Sequence, residues 1–334
     1  MPPLLRSFRR FFPSNLALAL LLLGASTPVI AQEVRRLEPV ATIPHTELAE
    51  PSGMVQSGLD PTLFWVHNDS GDVPRLFAVR LDGQVAVPPW MAAKGYVARP
   101  PLEGERLYPG LTIKRAALND WEDITRMGDK LYIAETGNNG NARRDIGLYE
   151  MFEPNPAAVE EASVFRFLPI AYPEQSAYPP PGPWEYDCEA VFGWNGKLYF
   201  ITKNRPHGKV TVPADSANLY RLDSMDPLQV NVLTRVDRME GAGGWVTAAD
   251  TNADGSLIAM VIHAPDPGVW LFDKPAKGDR FFSDASRVRR LRFRDSGQIE
   301  SLTFHRVDGK DELVMLNEER ELYRVPLSWF EDVK

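Results

Sequence analysis

Four glutamates stand at matching places in a repeated segment: Glu50 in "AEPSGMV", Glu122 in "DWEDITR", Glu189 in "DCEAVFG" and Glu300 in "IESLTFH". A fifth copy, "VTAADTN", carries Thr247 there, and Asp120 and Asp187 sit two residues ahead of the second and third glutamates. Carboxylates gathered in this number repel one another unless a cation or protons neutralise them. Hard oxygen donors select calcium or magnesium, and a large, loosely ordered set of carboxylates and amides favours calcium. For any single acid the plainer role is a solvated loop residue or a partner for loop backbone. The same position filled by Glu in four of five copies points instead to a shared cation.

These acids need elements that hold them. Each acidic start is followed by a turn and an apolar strand: "TLFWVHND", "KLYIAETG", "KLYFITKN", "LIAMVIHA" and "ELVMLNEE". A third strand follows in each unit ("RLFAVRLDG", "IGLYEMFEP", "ANLYRLDSM", "GVWLFDKPA", "ELYRVPLSW"), and fourth strands are expected at "LTIKRAAL", "SVFRFLPI", "VNVLTRVD" and "VRRLRFRD". Short β-branched and aromatic strands separated by Gly, Asp, Asn and Pro describe propeller blades, and no helical periodicity competes with them. The expected fold is all-β, a single β-propeller of five blades with four antiparallel strands each. After Glu300 the chain has room for only three strands, so "RLEPVATI", residues 36–43, is expected to complete that blade. N- and C-terminal strands would then close one blade and leave no open sheet edge. Six blades is the alternative, with the extra one in "VPPWMAAKGYVARPPLEGERLYPG", although that insertion lacks a second hairpin signature.

In an antiparallel hairpin the start of the first strand and the end of the second lie at one end. The acids and the second-strand exits should therefore converge on one mouth of the central channel. Glu50, Glu122, Glu189 and Glu300 are the expected metal ligands. Asn68, Asp69, Asp120, Glu135, Asn138, Asp187, Lys203, Asn204, Asn317 and Glu318 form the expected ligand face around them. Candidates for acid–base work are Glu122, Glu189, Glu300 and the strand-end histidines His67 and His263. A histidine that simply hydrogen-bonds a loop is the plainer reading of either. Trp121, Trp184, Tyr186 and Trp245 precede unit starts, where they suit stacking on sugar or aromatic rings, or wedging between blades. Cys188 reads as a structural thiol, since neighbouring acids raise its pKa and no histidine adjoins it.

Other chemistries are excluded. "DTNADG", Asp250 to Gly255, begins like an EF-hand loop, but Val261 occupies the position that requires a bidentate Glu. No HExxH, GxSxG, P-loop or CxxC is present.

Residues 1–31 read as a secretory signal: Arg6, Arg9 and Arg10, the apolar run "LALALLLLGA", and a small-residue cleavage site ending at Ala31. Residues 32–334 are then the propeller, periplasmic or secreted, with no membrane attachment after cleavage. Losing three arginines takes the formal charge from −8 to −11, a balance that argues against nucleic acid or anionic lipid as partner. The single cysteine allows no internal disulfide, so stability must come from a core. A monomer that binds a small polar molecule or carbohydrate is expected.

With "HNDSGD", "DWEDI", "ETGNNGNARRDIGLYEM", "DCEAVF", "VTAADTNADGSL" and "QIESLTF" in this order, the chain resembles a group of secreted bacterial β-propellers. It is more distantly similar to esterase-like phytase propellers and SdiA-regulated proteins, a resemblance that implies a six-bladed, calcium-associated propeller. "VIHAP" stands where the group commonly has an arginine-containing strand end, and "ETGNNG" where it has an Asp-containing one. Two functions remain open at this point. One is hydrolysis of an ester or phosphoester; the other is a non-catalytic ligand-binding or scaffold propeller with a structural metal.

Overall fold

The computed structural model describes residues 33–333; the expected signal segment lies outside them. Five antiparallel-dominated sheets form a five-bladed β-propeller. Blade one runs Pro51–Gln56, Leu63–Asn68, Arg75–Arg80 and Leu111–Lys114 from inside to outside. Blade two runs Trp121–Met127, Lys130–Glu135, Gly147–Phe152 and Arg166–Ala171. Blade three comprises Cys188–Trp194, Lys197–Thr202, Ser216–Leu222 and Thr234–Glu240. Blade four comprises Gly244–Thr251, Leu257–Pro265, Gly268–Asp273 and Val288–Arg294. Blade five has Ile299–Val307, Lys310–Asn317 and Glu321–Pro326, completed by Ala41–Thr42.

The innermost strands pack on one another in the order one, two, three, four, five and back to one, which closes the ring around the channel. Turn chemistry fixes the inner hairpins. Asn195-Gly196 and Asp308-Gly309 both adopt left-handed φ (49° and 73°, 50° and 77°), the tight turn whose twist matches a hairpin. Alternating apolar residues then face the neighbouring blade, giving five buried clusters, one for each pair of adjacent blades. Trp121 and Tyr132 are among the largest of these buried groups, so Trp121 wedges between blades and is not a ring-stacking surface.

The closing strand is shorter than residues 36–43. Ala41 and Thr42 pair with Leu322 and Glu321, and Val40 and Ile43 extend the ladder through backbone bonds. The preceding Val34–Arg36 departs to lie parallel on the outer strand of blade four, where Glu331–Asp332 also pairs. Two further short segments cross in the same manner: Glu161–Ser163 onto blade one and Asn231–Val232 onto blade two, both parallel. The long insertion forms a one-turn helix, Pro89–Ala92, and a minimal two-stranded pairing, and supplies no sixth blade.

Candidate functional site: the acidic mouth of the channel

In every blade the pairing of the first two strands slips by one residue near the same end. The residue left unpaired is Gly53, Glu122, Glu189, Thr247 or Glu300. A bulge of this kind re-aims a side chain out of the sheet alternation. Four of the five expected positions are therefore equivalent, and Glu50 is not: Gly53 holds its place in blade one. Gly53 has a φ of +61°, and a Cβ there would run into the His67 ring and the Asp123 backbone. No side chain can be presented from that point. Glu50 stands three residues earlier, exposed on the rim, where its charge is felt by Asp69 and Glu318.

Five carboxylates form the centre. Asp69, Asp120 and Glu122 offer oxygens within 4.8 Å of one another, and so do Glu122, Asp187 and Glu189. Glu122 belongs to both triads, and the donors come from blades one, two and three. Such a buried acidic cluster can hold a metal ion. Burial pushes the Glu122 carboxyl well up, reinforced by Glu189, Asp69, Asp187 and Asp120. Burial and the charges of Asp69, Asp187 and Glu189 push Asp120 up to about 7. Burial and Glu189 raise Asp187 to about 6, against the pull of Arg205 and Lys203.

Two cations pair directly with these acids, and Arg143 also acts on Asp120 through its charge. Lys203 Nζ lies 2.9 Å from Glu189 Oε1. Burial opposes its charge, but Glu189, Glu300, Asp187 and Glu122 outweigh burial and hold the ammonium protonated. Arg205, fully buried and not foreseen from the sequence, donates to Asp187 and to Asn139 Oδ1 at 2.5 Å. Glu300 lies outside both triads. Gln298 Nε2 donates to Glu300 Oε1 at 2.5 Å and to Glu318 Oε1 at 2.8 Å, and burial raises Glu300 to about 8 although Lys203 opposes it.

Several residues of the expected ligand face have other work. Glu135 accepts the backbone N–H groups of Asn119 (3.0 Å) and Asp120 (3.1 Å) and pairs with Arg143 at 2.6 Å, which fixes the loop bearing Asp120. Asn138 donates from its backbone N–H to Asp187 Oδ1 at 2.6 Å and from its amide to the Tyr186 carbonyl. Asn68, Asn204 and Asn317 likewise spend their amides on nearby loop groups: Asn68 on Glu47 and Asp72, Asn204 on Ser216, and Asn317 on Ser296 and Glu321. All four asparagines are buried. A recurring Asn after the second strand is a loop anchor here, and in the sequence it is indistinguishable from a ligand.

The histidines separate. His67 is buried beneath the mouth, edge-on to Trp121, and burial lowers it to about 4, so it is neutral. His263 is half-buried and lies nearly parallel to Trp245, 6.4 Å between centroids; burial and then Lys203 lower its pKa. Cys188 is buried, and burial pushes its thiol up, with Asp123 and Asp187 adding to the rise.

The fold and this site define a five-bladed β-propeller with an acidic channel mouth. No family model matches the chain, and no curated protein matches it in sequence. Among solved structures it is similar to the major allergen Mala s 1 of Malassezia sympodialis, with 8% identity over 85% of this chain and 93% of that one and a TM-score of 0.44. It is also similar to a gluconolactonase of Xanthomonas campestris, with 14% identity over 88% of this chain and 85% of that one and a TM-score of 0.39. Likenesses this remote assign no activity to the chain. Among the described residues no helix is long and apolar enough to cross a membrane.

Proposed function

We propose that this chain is an exported, monomeric propeller that binds a calcium ion at the channel mouth and hydrolyses a small polar ester or phosphoester there. The observation that carries the reading is Glu122, shared by two carboxylate triads and in no ion pair among the described residues, Lys203 acting on it only through its charge. Six acids, Asp69, Asp120, Glu122, Asp187, Glu189 and Glu300, face Lys203 and Arg205, with Arg143, itself paired to Glu135, acting on Asp120, and a divalent ion offsets much of that imbalance. Asp69, Asp120, Glu122, Asp187 and Glu189 would hold it. Asp69 and Asp120 are partly exposed, so the cluster opens to solvent on their side.

When bound, the cation supplies a Lewis acid that polarises the scissile oxygen and lowers the pKa of water. Lys203, beside Glu189, places a fixed positive charge next to the oxyanion that develops. Glu300, outside both triads, would take the proton from the attacking water once it is itself ionised, so turnover would rise as pH approaches about 8. Secretion rests on the signal-like residues 1–31, and a small polar ligand, carbohydrate included, on the polar character of the mouth.

A second reading has its own support. The five acids come from three consecutive blades, so a cation would also tie those blades together in a chain without disulfides. A non-catalytic scaffold would gain melting temperature with calcium and turn over nothing. The test is elemental analysis of the purified protein, calcium titration with and without chelator, and turnover on ester, lactone and phosphoester panels, each repeated with Glu122→Gln. Calcium-dependent turnover lost in the variant supports the hydrolase. Calcium binding without turnover leaves the scaffold, and a protein indifferent to calcium and chelator overturns both.

A further inference from the structure

Blades one and four both lack a carboxylate at the bulge, Gly53 and Thr247 standing there, and blade four alone puts an aromatic ring two residues before it. The residue two before the bulge is Asp120 in blade two and Asp187 in blade three, but Trp245 in blade four. The bulge itself carries Glu in blades two, three and five and Thr247 in blade four, and Thr247 turns its hydroxyl to the Ile299 carbonyl at 2.7 Å. The second-strand exit that holds Lys203 in blade three holds His263 in blade four, paired across the strands with Trp245. One sector of an acidic ring is thus built from an indole and an imidazole lying nearly parallel, 15° between planes.

The sector adjoins the acids through the cations. Lys203 Nζ is 5.5 Å from the Trp245 ring centroid while lying 2.9 Å from Glu189. The Arg205 guanidinium is 5.2 Å from the same ring and pairs with Asp187. The indole is half-buried, and its Nε1, like that of Trp184, is buried without a hydrogen-bond partner among the described residues, so the ring and not the N–H is what remains open to solvent. A half-open ring beside fixed cations is what a ring-shaped ligand carrying oxygens requires.

We infer that Trp245, with His263 and Lys203, is a specificity-determining subsite that selects cyclic ligands, a sugar or aromatic ring lying on the indole with its anionic or ester oxygen directed to Lys203 and the carboxylate cluster. The inference deepens the proposed function and rests on that reading for the direction of the ligand's reactive oxygen. The ring preference itself stands on Trp245.

The experiment compares matched probes that differ in ring closure. Glucuronate against gluconate in saturating calcium, and the neutral pair methyl glucopyranoside against sorbitol in calcium and in chelator, are titrated into wild type, Trp245→Leu and Trp245→Phe. Saturation-transfer NMR identifies which ligand protons meet aromatic rings. Wild type is expected to favour each cyclic member by up to about 10-fold. Trp245→Leu is expected to erase that ratio with calcium affinity kept, and Trp245→Phe to retain part of it. If Trp245 only steadies Lys203, cyclic and acyclic members weaken equally and the ratio stays, which overturns the proposal. Absence of a ring preference in wild type, in either pair, overturns it as well. Calcium titration of the ligand-free protein tests the metal reading separately, because the neutral pair decides the platform even where no cation binds.

Discussion

Among the glutamates that blade two buries, Glu150 on its third strand and Glu122 on its first are surrounded differently. Glu150 Oε1 accepts from Lys130 Nζ at 2.8 Å and Tyr132 Oη at 3.0 Å, while Arg166 donates to the other oxygen. Burial opposes its charge, but these partners outweigh burial and hold its pKa below the usual range. Glu122 is nearly as buried, has Asp69, Asp120, Asp187 and Glu189 as neighbours, and its pKa rises. A buried charge that serves the fold is matched inside the fold; one left unmatched asks for something from outside.

The largest expected effect breaks this comparison at Glu122. Calcium at a thousand times its Kd should stabilise wild type by about 4 kcal/mol, and Glu122→Gln should lose most of that gain while remaining as stable as wild type in chelator. Thermal and denaturant unfolding with calcium and with chelator measure both. Glu150→Gln should do the reverse, costing about 2 kcal/mol in either condition with the calcium response intact. That figure is below the usual cost of breaking a buried pair because Lys130 and Arg166 both reach solvent.

The pH dependence sharpens the contrast by a few degrees of melting temperature. Asp187, Asp120 and Glu300 have folded pKa values raised to about 6, 7 and 8. The folded protein therefore holds protons that the unfolded chain has released, and their contribution is present below the unfolded carboxylate range and lost as pH rises through 6 to 8. Glu150 contributes oppositely: its stabilisation is present above its unfolded pKa and lost as pH falls toward the lowered folded value. Metal-free melting should decline from mildly acid to mildly alkaline pH, and calcium should flatten the decline. The smallest effect belongs to Glu50→Gln, which removes an exposed rim charge and should change calcium affinity by less than about twofold in a direct titration.

The five blades were legible because each inner hairpin repeats an acidic start, a turn and an apolar strand. The bulge was legible only where a Glu marked it. In blade one the eye is drawn to Glu50, whereas the equivalent residue is Gly53, chosen for its backbone angle and for the space His67 occupies. Asn68, Asn138, Asn204 and Asn317 misled for a related reason: residue type tells that an amide is needed, not whether a loop or a ligand receives it. Arg205 was passed over although the hairpin that pairs Cys188 with Thr202 brings it to Asp187, because it stands two residues beyond the strand-exit residue Lys203 and reads as loop. The crossing strands of two or three residues are too short to carry any periodicity.

Those short strands also decide how the molecule bears load. Val34–Arg36 and Glu331–Asp332 both pair with Val288–Arg294, so the first and last described strands are attached to one edge of blade four. A pull applied between the two ends is taken up there, along a parallel pairing of three residues and an antiparallel one of two. The closure of the ring, Ala41–Thr42 against Glu321–Leu322 in blade five, lies behind these attachments along the chain and comes under tension only after they have given way. In mechanical terms blade four is the fuse, and the channel mouth keeps its shape until it has blown.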